Sequence, residues 1–558
     1  RQAAWRKLPP LESLEGTGAM DAPTQALAQC LTQSVHPDKA VRKAAEAQLD
    51  QFKQQPSCAT TVLQMLTADS LPLDVRQSGA VFFKNIARQN WDVEEHTTMT
   101  VPDVTKQQVR DGLLSLFLVV PQKIQLQLSE AIALIAAHDF PQRWEALLPA
   151  LVAQTTAALG APPKDYKKGL ALLKIAHSIF KRYRHEFKSD KLFGEIKYVI
   201  TQLQESLLKL FIEALADLRA ATTQPEHAKD VLQVLHMLVS IHFDLCAQDL
   251  PEYFEDHLRE WMEGFVELLK FRHAGLAADE DDTEPDVVSV LQAEVVDDLA
   301  LFMSKYEEEF QPFLNECLGH VWTLVIGTSL AQHHDLLVTT AIRFLTTVST
   351  SVHHALFAQA EVLQNVCEKI IAPNMQLLQA DLETFEDNPM EYVRRDIEGS
   401  DSDTRRRVSC DLVRGLCKNY EAEVTRLFSS YIGSLLQTFA AGGPDGFKAK
   451  DVAIYLVIAL TIKGGNARLG ATQTNQLVEL LPFFNGHVLA ELHPERNPVL
   501  VADAIKFVTV FRAQLDRSVY EGLMPRLLSL LAHKNQVVHT YAASAIERIL
   551  TVREALPA

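Results

Sequence analysis

The seven cysteines, the adjacent pairs His333-His334 and His353-His354, the dipeptide His185-Glu186 and the glycines before Lys448 are where this 558-residue sequence could do covalent, metal or phosphate chemistry. Their spacing argues against all three. The cysteines stand at 30, 58, 246, 317, 367, 410 and 417 without a Cys-x-x-Cys motif, so they read as small apolar core residues of a reducing compartment. Adjacent histidines on a helix point to different sides and share a metal poorly. His185-Glu186 lacks a second histidine at metalloprotease spacing. Gly442-Gly443-Pro444-Asp445-Gly446-Phe447-Lys448 has the wrong spacing for a phosphate loop and no strand before it; it reads as a turn between helices. No Gly-x-Ser-x-Gly elbow occurs. The expectation is a protein that is not an enzyme, with no catalytic residues, metal or cofactor of its own.

What remains is binding. The formal net charge of −18 repels a phosphate backbone, so basic or mixed-charge protein partners fit better than nucleic acid. The stretch Lys174–Lys188 interleaves aromatics with five Lys and Arg residues, a pattern that could stack RNA or meet a protein. The blander reading puts Ile175, Ile179, Phe180 and Tyr183 in the core and leaves the charges solvated. Residues 278–286 hold six acids in nine positions and should form an exposed loop, with an acidic docking surface as the alternative. Residues 380–407 hold nine acids and five arginines, a charged insertion long enough to expect function. It should be poorly ordered or loosely packed, act on association more than on folding, and tolerate shortening.

The elements that must position these groups are helices. Gly (22) and Pro (24) are scarce for the length, and 47% of residues are apolar against 22% charged, an ordinary soluble balance. From Val537 to Leu550 the apolar residues recur as one wide helical stripe, with His539, Thr540, Ser544, Glu547 and Arg548 opposite. A second apolar helix lies just upstream, across the short polar turn 532–536. The same grammar recurs at Val41-Arg42, Val75-Arg76, Leu337-Val338 and Arg407-Val408. Helix, tight turn and helix is the HEAT unit, and at roughly 40–47 residues each about twelve fit after Met20. No strand alternation of useful length interrupts them. The fold class is therefore all-α, a HEAT-repeat superhelical solenoid, since each pair buries its apolar face only against neighbours. No apolar run is long enough to cross a bilayer, so no membrane insertion is expected. Residues 1–19 lack helical spacing and read as a disordered extension before a natural start at Met20.

Several motifs carry a resemblance. Val75-Arg76 followed by Phe82-Phe83-Lys84-Asn85-Ile86 and Asn90-Trp91 is similar to the importin-β N-terminal domain. Gln127–Ile132 with Asp139-Phe140-Pro141-Gln142-Arg143-Trp144 resembles the third HEAT repeat of that superfamily. Phe180–Phe187, Glu391–Asp401, Asp411–Lys418 and Val537–Ala543 resemble one branch of it, the exportins of the cellular apoptosis susceptibility type, which return importin-α to the cytoplasm. The likeness spans about Leu27–Arg553 and implies the N-terminal part of a longer receptor, with repeats 1–3 in residues 20–150 and further repeats in 151–558. It implies cooperative binding of importin-α cargo with the GTP form of the small GTPase Ran, contacts with nuclear pore proteins, and shuttling between nucleus and cytoplasm. GTP would enter only as the nucleotide on Ran. Ran contacts are expected at Lys84, Asn85 and Asp139 and, in the insertion, at Arg394, Arg395 and Asp396, whereas Trp91, Phe140 and Trp144 are expected to be core anchors. An import receptor of the same superfamily and a static HEAT scaffold are the alternatives.

Overall fold

The computed structural model describes residues 21–92, 100–221, 223–280, 282–398 and 404–553. The expected extension 1–19, the start at Met20 and residues 399–403 of the insertion lie outside them. The chain divides at Gly264–Phe265 into two compact units. Each is a succession of helix pairs joined by short turns, the all-α HEAT-repeat architecture expected.

In the first unit the helices run from Ala22–Ser34 to Pro225–Cys246 and into the helix Leu258–Lys270. Some of their N-termini are closed by short polar side chains: Asp38 accepts from the amide of Ala40, and Ser189 from that of Leu192. The recurrent arginine at the start of a repeat's second helix has a task of its own. Buried Arg76 donates from Nε to the carbonyl of Leu66 at 2.9 Å and from Nη1 to Asp69 at 2.7 Å. It thus satisfies a carbonyl at the end of the preceding helix Cys58–Leu66. In the core Trp261 lies on Phe211 and His242, at 4.3 Å and 4.1 Å between ring centroids. Gly264 makes that approach possible, because a Cβ there would stand 2.5 Å from the Phe211 ring.

The second unit stacks Val287–Lys305, Glu307–Gly327, Asp335–Thr350, Arg405–Ala440, Gly446–Thr461, Pro498–Val510, Arg517–Leu530 and Gln536–Arg553. Arg405–Ala440 is two helices meeting at Tyr420, whose φ/ψ of −130°/35° breaks the helical path. The Gln536–Arg553 stripe buries Val537, Val538, Tyr541, Ala542, Ala545 and Ile549, whereas Leu550, the last residue of the expected stripe, is 51% exposed. Gly442 and Gly443, at φ 81° and 118°, make the turn between two helices expected there.

Among the described residues the expectation that no strands interrupt the helices fails at one place. Ile462–Asn466 and Gly470–Thr474 form an antiparallel hairpin, β1 and β2. Arg512 holds its tip, donating to the carbonyls of Ala467 at 2.5 Å and Arg468 at 3.2 Å. Gly470 has φ 76°, and a Cβ there would lie 2.3 Å from the Val510 carbonyl oxygen, so glycine is required.

Candidate functional site

All seven cysteines are buried, free thiols. The histidine pairs behave unevenly. His333 and His334 do not diverge, because Gln332–His334 is a tight 3-10 turn; their Nε2 atoms lie 3.1 Å apart, and burial and His333 push the His334 ring below its ordinary value. Among the described residues no set of three or more His, Cys, Asp or Glu is placed to hold a metal, and no helix is long and apolar enough to cross a membrane.

The N-terminal candidates sit on two packed helices, Leu73–Asn90 and Gln122–Asp139. Lys84 ion-pairs with Glu130 at 2.9 Å, bridging the two, with side-chain exposures of 16% and 49%. Asn85 beside it is half-buried. The structure thus pairs Lys84 with Glu130, a residue the motif did not single out, across the two helices.

Asp139 is not part of that face, which corrects the expectation of a surface contact. It is 1% exposed, and its carboxylate accepts from Trp91 Nε1 at 2.9 Å and Arg110 Nη1 at 2.6 Å. The physical reason is its position at the C-terminal end of a helix, where an unpaired carboxylate meets the negative end of the dipole. Arg110, with Arg143 at 3.9 Å, offsets that charge. Asp139 thus ties together the two helices of its own repeat, Asp103–Val119 and Gln122–Asp139, and the end of the repeat before it. Trp91, Phe140 and Trp144 are buried as expected.

In the second unit the described part of the insertion is built, not loose. Residues Gln379–Asp387 and Pro389–Val393 are helical and Arg394–Glu398 continues as a wider π turn. Phe385, Tyr392 and Val393 are buried, and the Phe385 and Tyr392 rings meet edge to face at 5.0 Å. Arg405 and Arg406, counted as loop charges in the sequence, are anchors. Arg405 donates to Asp335 at 2.6 Å and to the carbonyls of Ser329 and Ala331; Arg406 grips Asp451 through two bonds of 3.1 Å and 2.7 Å.

Asp396 likewise is no free contact residue. Its carboxylate accepts from Lys506 Nζ, from the Tyr455 hydroxyl at 3.0 Å and from the Tyr541 hydroxyl at 2.5 Å. Burial pushes this carboxyl up, but the charge and hydrogen bond of Lys506, with the hydrogen bonds of Tyr541 and Tyr455, hold it below the ordinary carboxylate value. One side chain thereby fastens the insertion to three later helices. Nearby, burial and the charge of Asp451 push Asp503 well above the ordinary carboxylate value despite Arg406. Arg394 and Arg395 remain on the surface, Arg395 paired with Glu391 one turn back at 2.8 Å. The basic stretch resolves as core plus charges: Ile175, Ile179, Phe180 and Tyr183 are buried. The loop 278–286 is largely exposed, and Asp286 caps the next helix.

Comparison with known proteins agrees with this geometry. The Cse1 family model matches residues 179–546, and the importin-beta N-terminal domain model matches 45–119. Exportin-2 of Oreochromis niloticus is 40% identical over 537 residues and that of Homo sapiens 39% over 538, each covering 96% of this chain. The chain spans 54% of those relatives, about half their length. The solved exportin Cse1 in its cargo-free, cytoplasmic state superposes with a TM-score of 0.89 at 33% identity, over 96% of this chain and 57% of that one. Yeast importin-beta shares the fold at a TM-score of 0.61 and 14% identity, over 94% of this chain and 61% of that one. With a family model matched through the greater part of its length, the chain belongs to the Cse1 family.

Proposed function

We propose that this chain is the N-terminal part of a nuclear export receptor that binds importin-α together with GTP-bound Ran and returns it to the cytoplasm. The observation that carries the reading is the superposition on an exportin over 96% of the chain. In this reading the chain performs no covalent step, and the only nucleotide is the one on Ran. Nuclear pore proteins are its further partners and shuttling between nucleus and cytoplasm its working cycle. Lys84 and Asn85 on one unit, and Arg394 and Arg395 on the other, meet Ran; Asp139 and Asp396 position the elements that carry them. A solenoid suits the task, because repeats that touch only their neighbours let small rotations sum along the stack. Reciprocity then requires Ran and cargo to raise each other's affinity.

The test is importin-α capture by this chain with GTP-loaded Ran, GDP-loaded Ran and no Ran. Capture that rises with GTP-loaded Ran supports an exportin. Displacement of cargo by GTP-loaded Ran would instead mean an import receptor. Indifference to the nucleotide would leave a HEAT scaffold.

A further inference from the structure

Phe187 is 96% exposed, the most exposed large apolar side chain among the described residues. A lone surface apolar residue needs no explanation. This one differs in what lies beneath and around it. Its loop is fixed from below: buried Gln248 donates from Nε2 to the carbonyls of Tyr183 at 2.5 Å and Glu186 at 3.0 Å. Arg184 donates to buried Asp244 at 2.5 Å, and Tyr183 and Arg182 both bond Glu195. Immediately after the phenylalanine, Ser189 caps the helix Asp190–Ala220. An aromatic ring is therefore held out into water on a backbone that cannot fold it away.

The surroundings are basic. Lys188, Lys191 and Lys197 are exposed and take part in no ion pair among the described residues. Phe193, one turn before Lys197, is 36% exposed. Of the acids here, Glu195 is buried against Arg182 and Tyr183, Glu186 lies 3.4 Å from Arg182, and Asp190 is left. In a chain of net charge −18 this corner is a local excess of positive charge around two apolar rings.

We infer that the corner formed by Phe187, Lys188, Lys191, Phe193 and Lys197 is a docking surface for an acidic polypeptide segment that carries apolar side chains. Phe187 is the anchor and the lysines steer and rim the contact. Aromatic anchors ringed by polar groups concentrate binding energy, and a loop already ordered spares the entropy of fixing it on binding. A single-stranded nucleic acid could also stack on an aromatic beside lysines, but it carries a charge at every nucleotide, so a chain of net charge −18 opposes it more than a peptide whose acids are spaced by apolar residues. The surface uses none of the residues proposed above to meet Ran, so the inference stands or falls apart from that reading.

The experiment pans a random peptide library on the intact chain with counter-selection on Phe187→Ser/Lys191→Glu. The enriched peptide is then synthesised with a fluorophore and titrated by anisotropy. The expected sequences are acidic with interspersed Leu, Ile or Phe. Their affinity should fall about tenfold in Phe187→Ala and in Lys188→Glu/Lys191→Glu, and survive in Phe187→Trp. Melting temperatures should match the parent, because all these positions are exposed. No enrichment, enrichment of non-acidic peptides, or equal affinity across the variants would overturn the proposal. So would a labelled single-stranded oligonucleotide that binds the corner more tightly than the peptide.

Discussion

Tyr541 donates its hydroxyl proton to Asp396 across 2.5 Å, joining residues 145 positions apart in the sequence. With Lys506 and Tyr455 on the same carboxylate, this bond makes the insertion a structural member of the second unit. Asp396→Asn should therefore destabilise the chain by about 3 kcal/mol, the lower end for breaking a buried pair, since Lys506 is left without its counter-charge at 19% exposure. Tyr541→Phe removes one hydrogen bond to a charged group and should cost about 1.5–3 kcal/mol. Replacing residues 383–398 by a Gly/Ser link, which the charge pattern alone would permit, should cost more than either. Urea unfolding of each variant checks the order, and a parental midpoint for the shortened chain would return the insertion to an ordinary loop.

The difference between the readable and the hidden parts of this site is sequence distance. Helical stripes repeat within a few residues, so Val537–Ile549 could be assigned to the core from the sequence, and the Lys84 motif could be placed on a helix. Asp139 could not be placed, because the groups that bury it, Arg110 and Trp91, lie 29 and 48 residues earlier. A motif six residues long contains both faces of a helix end and does not say which is outside. Asp396 was hidden for the same reason, its partners being 59, 110 and 145 residues away. The hairpin at 462–474 left a local signal in Gly464, Gly465 and Gly470, but its strands are too short for an alternating pattern and are held by the distant Arg512.

The contrast between Lys84 and Asp139 can be measured. Lys84→Ala removes a partly exposed ion pair with Glu130 and should change stability by less than about 1 kcal/mol. Asp139→Ala leaves Arg110 without its counter-charge and the buried Trp91 N–H without an acceptor, and should cost about 3–5 kcal/mol. Trp144→Ala, an emptied core position, should fall in the same range. Lys84→Ala should nevertheless weaken Ran binding in a pull-down. Equal thermal losses at positions 84 and 139 would mean that both residues serve the core.

The two perturbed acids of the second unit should pull the pH profile in opposite directions. Asp396 is depressed in the folded state, so the stability it contributes is present above the ordinary carboxylate range and is lost as pH falls through its lowered value. Asp503 is raised, so the folded chain holds its proton where the unfolded chain has released it. Its contribution therefore declines as pH rises from the ordinary carboxylate value towards its own. Asp503→Asn keeps a donor for Asp451 without a charge to desolvate. At pH 7 it should be within about 1 kcal/mol of the parent or more stable, with a smaller decline of stability above pH 4. Denaturation midpoints across that range decide it; a loss at neutral pH as large as that of Asp396→Asn would show that Asp503 is charged in the fold.

Arg394 and Arg395 are the part of the insertion left to a partner. The Arg395–Glu391 pair is a one-turn surface pair at 43% and 27% exposure, worth about 0.3–0.5 kcal/mol, so these arginines add little to the fold. Charges at a rim act chiefly on encounter, and that action is screened by salt. Arg394→Glu/Arg395→Glu should leave the melting temperature unchanged and slow association with GTP-loaded Ran by about tenfold at low ionic strength. At high salt the difference from the parent should shrink, because attraction and repulsion are both screened. Stopped-flow association at two ionic strengths reads this directly. A lower melting temperature would assign the arginines to the fold after all, whereas identical association rates would exclude them from the Ran surface and leave Lys84 and Asn85 to carry it.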